Sequence, residues 1–228
     1  GNYGIDQAFL KFDKTQLDNE NEFVMFAVVP ETISRVHSYW KHYLEFGNIL
    51  SFKPRFLLNK NNEVIKINNY LSKYKTVSSI RNNIEEIKLN DFFYKIKFLK
   101  RMFKFPYSIS FLRYPKLNIQ IFGYLFADMF FKKLLNDDLK KNFYNQAVKK
   151  IIIKNIIEAD NYYLIDNMKL LLEKIIYKYD KIINKIEKKM LILIIPQKYD
   201  LLELKQKNYK SFFKHMSKNI NILDLTDV

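Results

Sequence analysis

Cysteine is absent from the 228 residues, which excludes a disulfide framework and any thiolate metal centre and fits a reducing compartment. Glycine occurs four times, at Gly1, Gly4, Gly47 and Gly123. That is too sparse for a Walker A loop or a dinucleotide fingerprint, so nucleotide enzymes of those kinds are set aside and no cofactor is expected. Histidine occurs three times. His37 and His42 are five residues apart, which does not put both on one helix face, so no metal site is expected. No pair of carboxylates is spaced in a way that singles out glycosidase chemistry. Long apolar runs are missing too. The aromatic-rich stretch from Phe105 to Phe131 is broken by Arg113, Lys116 and Asp128 before it reaches membrane-spanning length, and it is expected as buried core of a cap rather than as a membrane-surface element.

What is present is a basic, apolar and aromatic chain: 48% hydrophobic, 16% aromatic, with a formal charge of +15. The proportions are those of a globular protein, and the length allows one domain, burying roughly 70% of its unfolded surface. Such a charge attracts polyanions. Only five of the basic residues are arginines, however, and arginine is what bidentate phosphate and guanine recognition favours. The lysines therefore read as a solvated surface, nucleic acid is disfavoured as a partner, and contact with a membrane surface stays open. No targeting segment is visible, which leaves the compartment open between bacterial cytoplasm and cell envelope.

Three apolar runs define the fold class: Phe23 to Val29 ending at Pro30, Leu191 to Ile195 ending at Pro196, and Ile220 to Leu225. Runs of this kind suit strands buried on both faces in a helix-covered parallel sheet. The helix-compatible residues from Lys198 to Lys218 suffice for a parallel crossover. A hairpin is expected from Phe56–Leu58 and Val64–Ile67 around an asparagine-rich turn. The apolar spacing from Ile165 to Ile186 predicts one long amphipathic helix leading into the second strand. The expectation is a single α/β domain over 1–228, a doubly wound parallel sheet in a flavodoxin-like three-layer sandwich, with roughly residues 48–160 as a mostly helical insertion or cap. Ligands of open parallel sheets bind beyond the strands' carboxyl ends, which directs attention to Pro30-Glu31-Thr32, Pro196-Gln197-Lys198 and Thr226-Asp227. Each of these could equally be a plain strand-ending loop.

The order GNYGIDQAFLKF, a strand ending VVPETISR, then KPRF, and finally LILIIPQKYD followed by a helix and ILDLTDV, resembles the middle of an SGNH/GDSL-type hydrolase. The similarity is clearest over residues 1–58 and 190–228. The resemblance implies a Gly-Asp-Ser nucleophile turn first, a glycine turn second, a strand ending near Gly-x-Asn-Asp third and an Asp-x-x-His last. The chain opens on the glycine turn and closes just after a strand, so it is expected to be an interior stretch, with the nucleophile before Gly1 and the acid–base pair after Val228.

By this resemblance Gly1 stands where a backbone N–H of the oxyanion hole belongs. Glu31 and Thr32 occupy the block in which the family carries an oxyanion-donating asparagine. Asn is absent there; an ionised Glu31 cannot donate, which leaves Thr32 as the candidate donor. Arg35 could hold a substrate carboxylate or anchor the cap through a fork-shaped pair. His37, Tyr39, Trp40 and His42 follow on the next helix, where aromatic faces could stack a sugar or simply fill core, the reading favoured for Trp40. Lys53-Pro54-Arg55 forms a stiff basic turn able to bind an anionic group or to solvate a loop. The substrate-binding set is thus Glu31, Arg35, His37 and Arg55, and His215 reads as a surface residue. The resemblance implies a serine attacking an ester of carbohydrate type, small-molecule or polysaccharide, in the complete parent, as an esterase or acyl transferase, with these residues alone catalytically incomplete. The competing class is a non-catalytic binding or scaffold protein with a hydrolase-like fold, and behind it a basic polyanion-binding protein.

Overall fold

The computed structural model describes residues 4–15, 21–39, 52–69, 84–92, 94–95, 105–131, 137–203 and 205–227. Gly1, Trp40 and His42 lie outside them. Helix α1 (Ile5–Phe12) precedes strand β1 (Phe23–Val28), a 3-10 turn (Pro30–Thr32) and the short α2 (Ile33–Val36). The hairpin β2 (Arg55–Leu58) and β3 (Val64–Ile67) follows, then α3 (Ile84–Asn90), α4 (Tyr107–Leu112), α5 (Pro115–Phe131), α6 (Asp137–Tyr162) and α7 (Asp166–Lys185). The chain continues through β4 (Lys189–Ile194), α8 (Lys198–Glu203), α9 (Asn208–Met216) and β5 (Asn221–Asp224).

The protein is α/β. Strands β1, β4 and β5 form a parallel sheet in the order β1-β4-β5, with Met25 beside Leu191 and Leu193 beside Leu223, and the hairpin is a separate antiparallel pair. Its turn is held by Asn59, whose side-chain oxygen accepts the amides of Asn61 and Glu63, while Asn62 takes the left-handed conformation. Helix α7 packs on β4 and the hairpin, and α1 packs on β1. Their meeting point is aromatic: Phe9 stacks on Tyr179 at 4.3 Å and meets Phe26 edge-on at 4.6 Å.

The sheet departs from the expectation of burial on both faces. Phe26, Val28, Met190, Ile192 and Ile194 are buried beneath α1, α7 and α9. The alternate residues are not: Phe23 and Met25 are 52% and 58% exposed, and Leu223 is 48% exposed. Strand pleating sends successive side chains to opposite faces, and among the described residues the second face is the less buried, with Leu191 and Leu193 of the central strand half-buried on it. An unbroken apolar run reports that both faces are apolar, not that both are buried.

The stretch expected as an insertion divides in two. Phe56 of the hairpin, and Ile156 and Ala159 near the end of α6, join the same core as the sheet. Helices α4 and α5 stand outside it. Their Ile109, Leu112, Ile119, Phe126, Met129 and Phe130, and Phe105 just before them, are each more than half exposed, which overturns the expectation that Phe105–Phe131 is buried cap core.

Candidate functional site at the carboxyl edge of the sheet

Three segments far apart in sequence converge behind the end of β1. Gly4 precedes α1 with extended backbone, and its carbonyl accepts the amide of Gln7 at 3.0 Å. A Cβ built on Gly4 would lie 2.7 Å from Asp6 Oδ1 and 3.3 Å from both the amide nitrogen and Cγ2 of Val36. Only glycine lets the turn before α1 pack this closely on α2. Asp6 is fully buried and accepts Lys53 Nζ at 2.5 Å and Gln7 Nε2 at 3.1 Å, both on Oδ2. Gln7 Nε2 also donates to the Pro54 carbonyl at 3.0 Å. Asp91 completes the cluster, receiving the amides of Tyr39 and Tyr94 at 2.8 and 2.9 Å.

His37 and Arg55 belong to this cluster as interior residues, 7% and 6% exposed. The Arg55 guanidinium lies 5.4 Å from the centre of the Tyr39 ring. The His37 ring nitrogen Nε2 is 3.2 Å from the Met168 carbonyl. Burial, aided by the nearby Arg55 charge, pushes the His37 pKa down to about 3. The ring is therefore neutral near pH 7, and because a carbonyl only accepts, Nε2–H is the donor. His37 fastens the end of α2 to the start of α7. Burial likewise lowers the Lys53 pKa, with Asp6 opposing.

At the strand ends the 3-10 turn sets Glu31 and Thr32 beyond β1. The Thr32 hydroxyl and amide both donate to the Val29 carbonyl, at 2.7 and 2.9 Å. The side chain thus closes its own turn. Tyr163 donates to the Pro30 carbonyl at 2.9 Å from α6's end, so the long helix pins the turn to the core. Arg35 is half-buried on α2.

Sequence reasoning passed over the acids gathered here. Asp200, in the first turn of α8, is 1% exposed and accepts the Gln197 amide at 2.6 Å. Its pKa rises to about 6, first through burial and then through the negative charges of Glu31 and Asp160, against the Gln197 bond. Asp160 receives the Asn208 amide, the Asn208 side chain and the Tyr209 amide at 3.0, 2.9 and 3.1 Å. It thereby caps α9 from another helix. The Tyr209 hydroxyl meets Thr226 Oγ1 at 2.9 Å, and Thr226 in turn bonds Asp224. Burial pushes the Tyr209 phenol up to about 12. The spacing Gln197-x-x-Asp200 after a proline was a legible helix-start signal; the approach of Glu31 was not, since it comes from another strand.

Comparison with family models, curated proteins and solved structures finds no match for this chain. Among the described residues no group of histidines and carboxylates could hold a metal ion, and no serine hydroxyl bonds a histidine. What the edge offers chemically is a buried acid, Asp200, whose pKa is raised to about 6 by burial and by the negative charges of Glu31 and Asp160. Perturbed carboxylates of this kind mark functional sites more often than random surface acids do.

Proposed function

We propose that residues 1–228 form the central part of an SGNH-type ester hydrolase or acyl transferase acting on carbohydrate-type esters, in a doubly wound sheet. The observation that carries the reading is the convergence of its three N-terminal blocks. Gly4 packs on Val36, Asp6 pairs with Lys53, and Gln7 bonds Pro54, so Gly4–Gln7, the residue that follows the VVPETISR stretch, and the start of KPRF meet in one buried cluster. An oxyanion hole needs backbone donors fixed before the reaction begins. A buried ion pair behind a glycine turn, with no room for a Cβ, supplies such fixity. On this reading Gly1 lends a backbone donor, Glu31 and Arg35 face the substrate, His37 and Arg55 hold the turn in place, and the serine and its Asp-x-x-His partner come from sequence outside these residues.

A second reading, a non-catalytic binding protein on the same fold, is favoured by Thr32, whose two donors are both directed at Val29. One experiment separates the two. The full-length gene product is assayed on p-nitrophenyl acetate beside a Ser→Ala variant of its Gly-Asp-Ser turn, with residues 1–228 alone as control. Serine-dependent turnover, absent from the control, is the expected result. Unchanged turnover in the alanine variant, or lack of such a serine, leaves the binding reading.

A further inference from the structure

Helix α5 is apolar on both sides. Its half-buried side, which packs on α6, carries Leu117, Ile121, Tyr124 and Ala127 beside Asn118 and Asp128. Its outward side carries Ile119, Phe122, Leu125, Phe126, Met129 and Phe130, between 39% and 68% exposed. Helix α4 continues this surface with Ile109 and Leu112, 59% and 66% exposed. A contiguous apolar surface of this kind marks an interaction site.

The charge beside it points to the occupant. Among the described residues 105–131 the charged side chains are Arg113, Lys116 and Asp128, two cations against one acid. At the start of α5 a groove of about 520 Å³ opens between α5 and α6; its wall is largely apolar, with Ile153 and Ile157 in it, and it carries four cations, Arg113, Lys116, Lys150 and Lys154, against one acid, Glu158. Glu158 lies 3.7 Å from Lys154, whose ammonium also sits 3.3 Å from the centre of the Tyr114 ring. Apolar side chains beside a basic groove match the two layers of an anionic lipid surface, acyl chains and phosphates. A second copy of this chain, at +15, would bring like charge to like. Seventeen residues make α5 about 25 Å long, and no described helix is long and apolar enough to cross a membrane.

We infer that α4 and α5 dock the protein on an anionic membrane surface, with Phe122, Phe126 and Phe130 entering the acyl boundary and the Arg113–Lys154 groove holding headgroup phosphates. This does not depend on the hydrolase reading. The test is co-sedimentation of the 228-residue chain with vesicles of phosphatidylcholine alone or with about 30% phosphatidylserine. Retention is expected on the anionic vesicles only, weakened by salt, and lost in the doubly substituted Phe122→Asp, Phe126→Asp chain. Lys116→Met with Lys150→Met, which leaves the apolar face intact, is expected to weaken binding roughly thirtyfold. The inference is overturned if wild-type chain stays in the supernatant, if it binds neutral vesicles equally, or if sedimentation velocity without lipid shows a dimer that the phenylalanine substitutions disperse.

Discussion

Lys53 Nζ reaches Asp6 Oδ2 at 2.5 Å inside the protein, across 47 positions of sequence. Lys53 precedes the hairpin and Asp6 opens α1, so the pair ties together two elements that no backbone ladder joins. Removing one partner leaves the other charge buried. Lys53→Met is therefore expected to lower stability by about 3–5 kcal/mol, and Asp6→Leu with Lys53→Met by less than Lys53→Met alone. Urea unfolding midpoints of the three chains check this; a double variant worse than the single would contradict it.

Gly4 has no room for a methyl group. The added Cβ of Gly4→Ala would press on Asp6 Oδ1 at 2.7 Å and on the Val36 backbone at 3.3 Å, and the Asp6 carboxylate is itself held by Lys53 and Gln7. A cost of about 1–3 kcal/mol is expected, as for overpacking of a rigid site. Thermal unfolding of the variant within a degree of wild type would show that the turn yields freely.

His37 and Asp200 pull stability in opposite directions with pH. The folded protein holds His37 at about 3 against an ordinary 6.5. The unfolded chain therefore takes up a proton that the native state refuses, and this contribution is lost as pH falls from 6.5 toward 3. Asp200 stands at about 6 against 3.8, so its contribution is present below 3.8 and lost as pH rises through 6. His37→Gln is expected to flatten the stability profile between about pH 6.5 and pH 4, and Asp200→Asn to steepen its acid side. Denaturant midpoints across that range decide it, and parallel profiles for all three proteins would refute both assignments.

Glu187 closes α7 in the left-handed conformation at φ 58°, with the Lys188 amide donating to Ile183 and the Glu187 amide to Asn184. This is the bonding pattern that favours glycine at a helix end. Glu187 is exposed, so Glu187→Gly is expected to raise stability by about 1 kcal/mol through relief of the left-handed strain. A lower melting temperature would count against it.

The strands, the hairpin and the long helix before β4 are legible in the sequence because each depends on local pattern: an apolar run stopped by proline, an asparagine turn, a helical spacing. Pattern says which side chains are apolar but not which faces find a partner. FVMFAV read as buried on both sides, yet Phe23 and Met25 face outward, and the aromatic stretch of α4 and α5 read as core although much of its apolar surface is exposed. The candidate site divides in the same way. Glu31 and Thr32 were found by their place after a strand, whereas Asp200 beside Glu31, Asp6 beneath Lys53, and the burial of His37 and Arg55 are contacts between distant segments.

The sequence by itself determined composition, charge, the α/β class and the positions where strands end, since these follow from residue type and short-range spacing. Only the tertiary structure decided which polar residues became a buried cluster and which aromatics were left outside. Burial and pairing are properties of the packed chain, set by which distant surfaces meet.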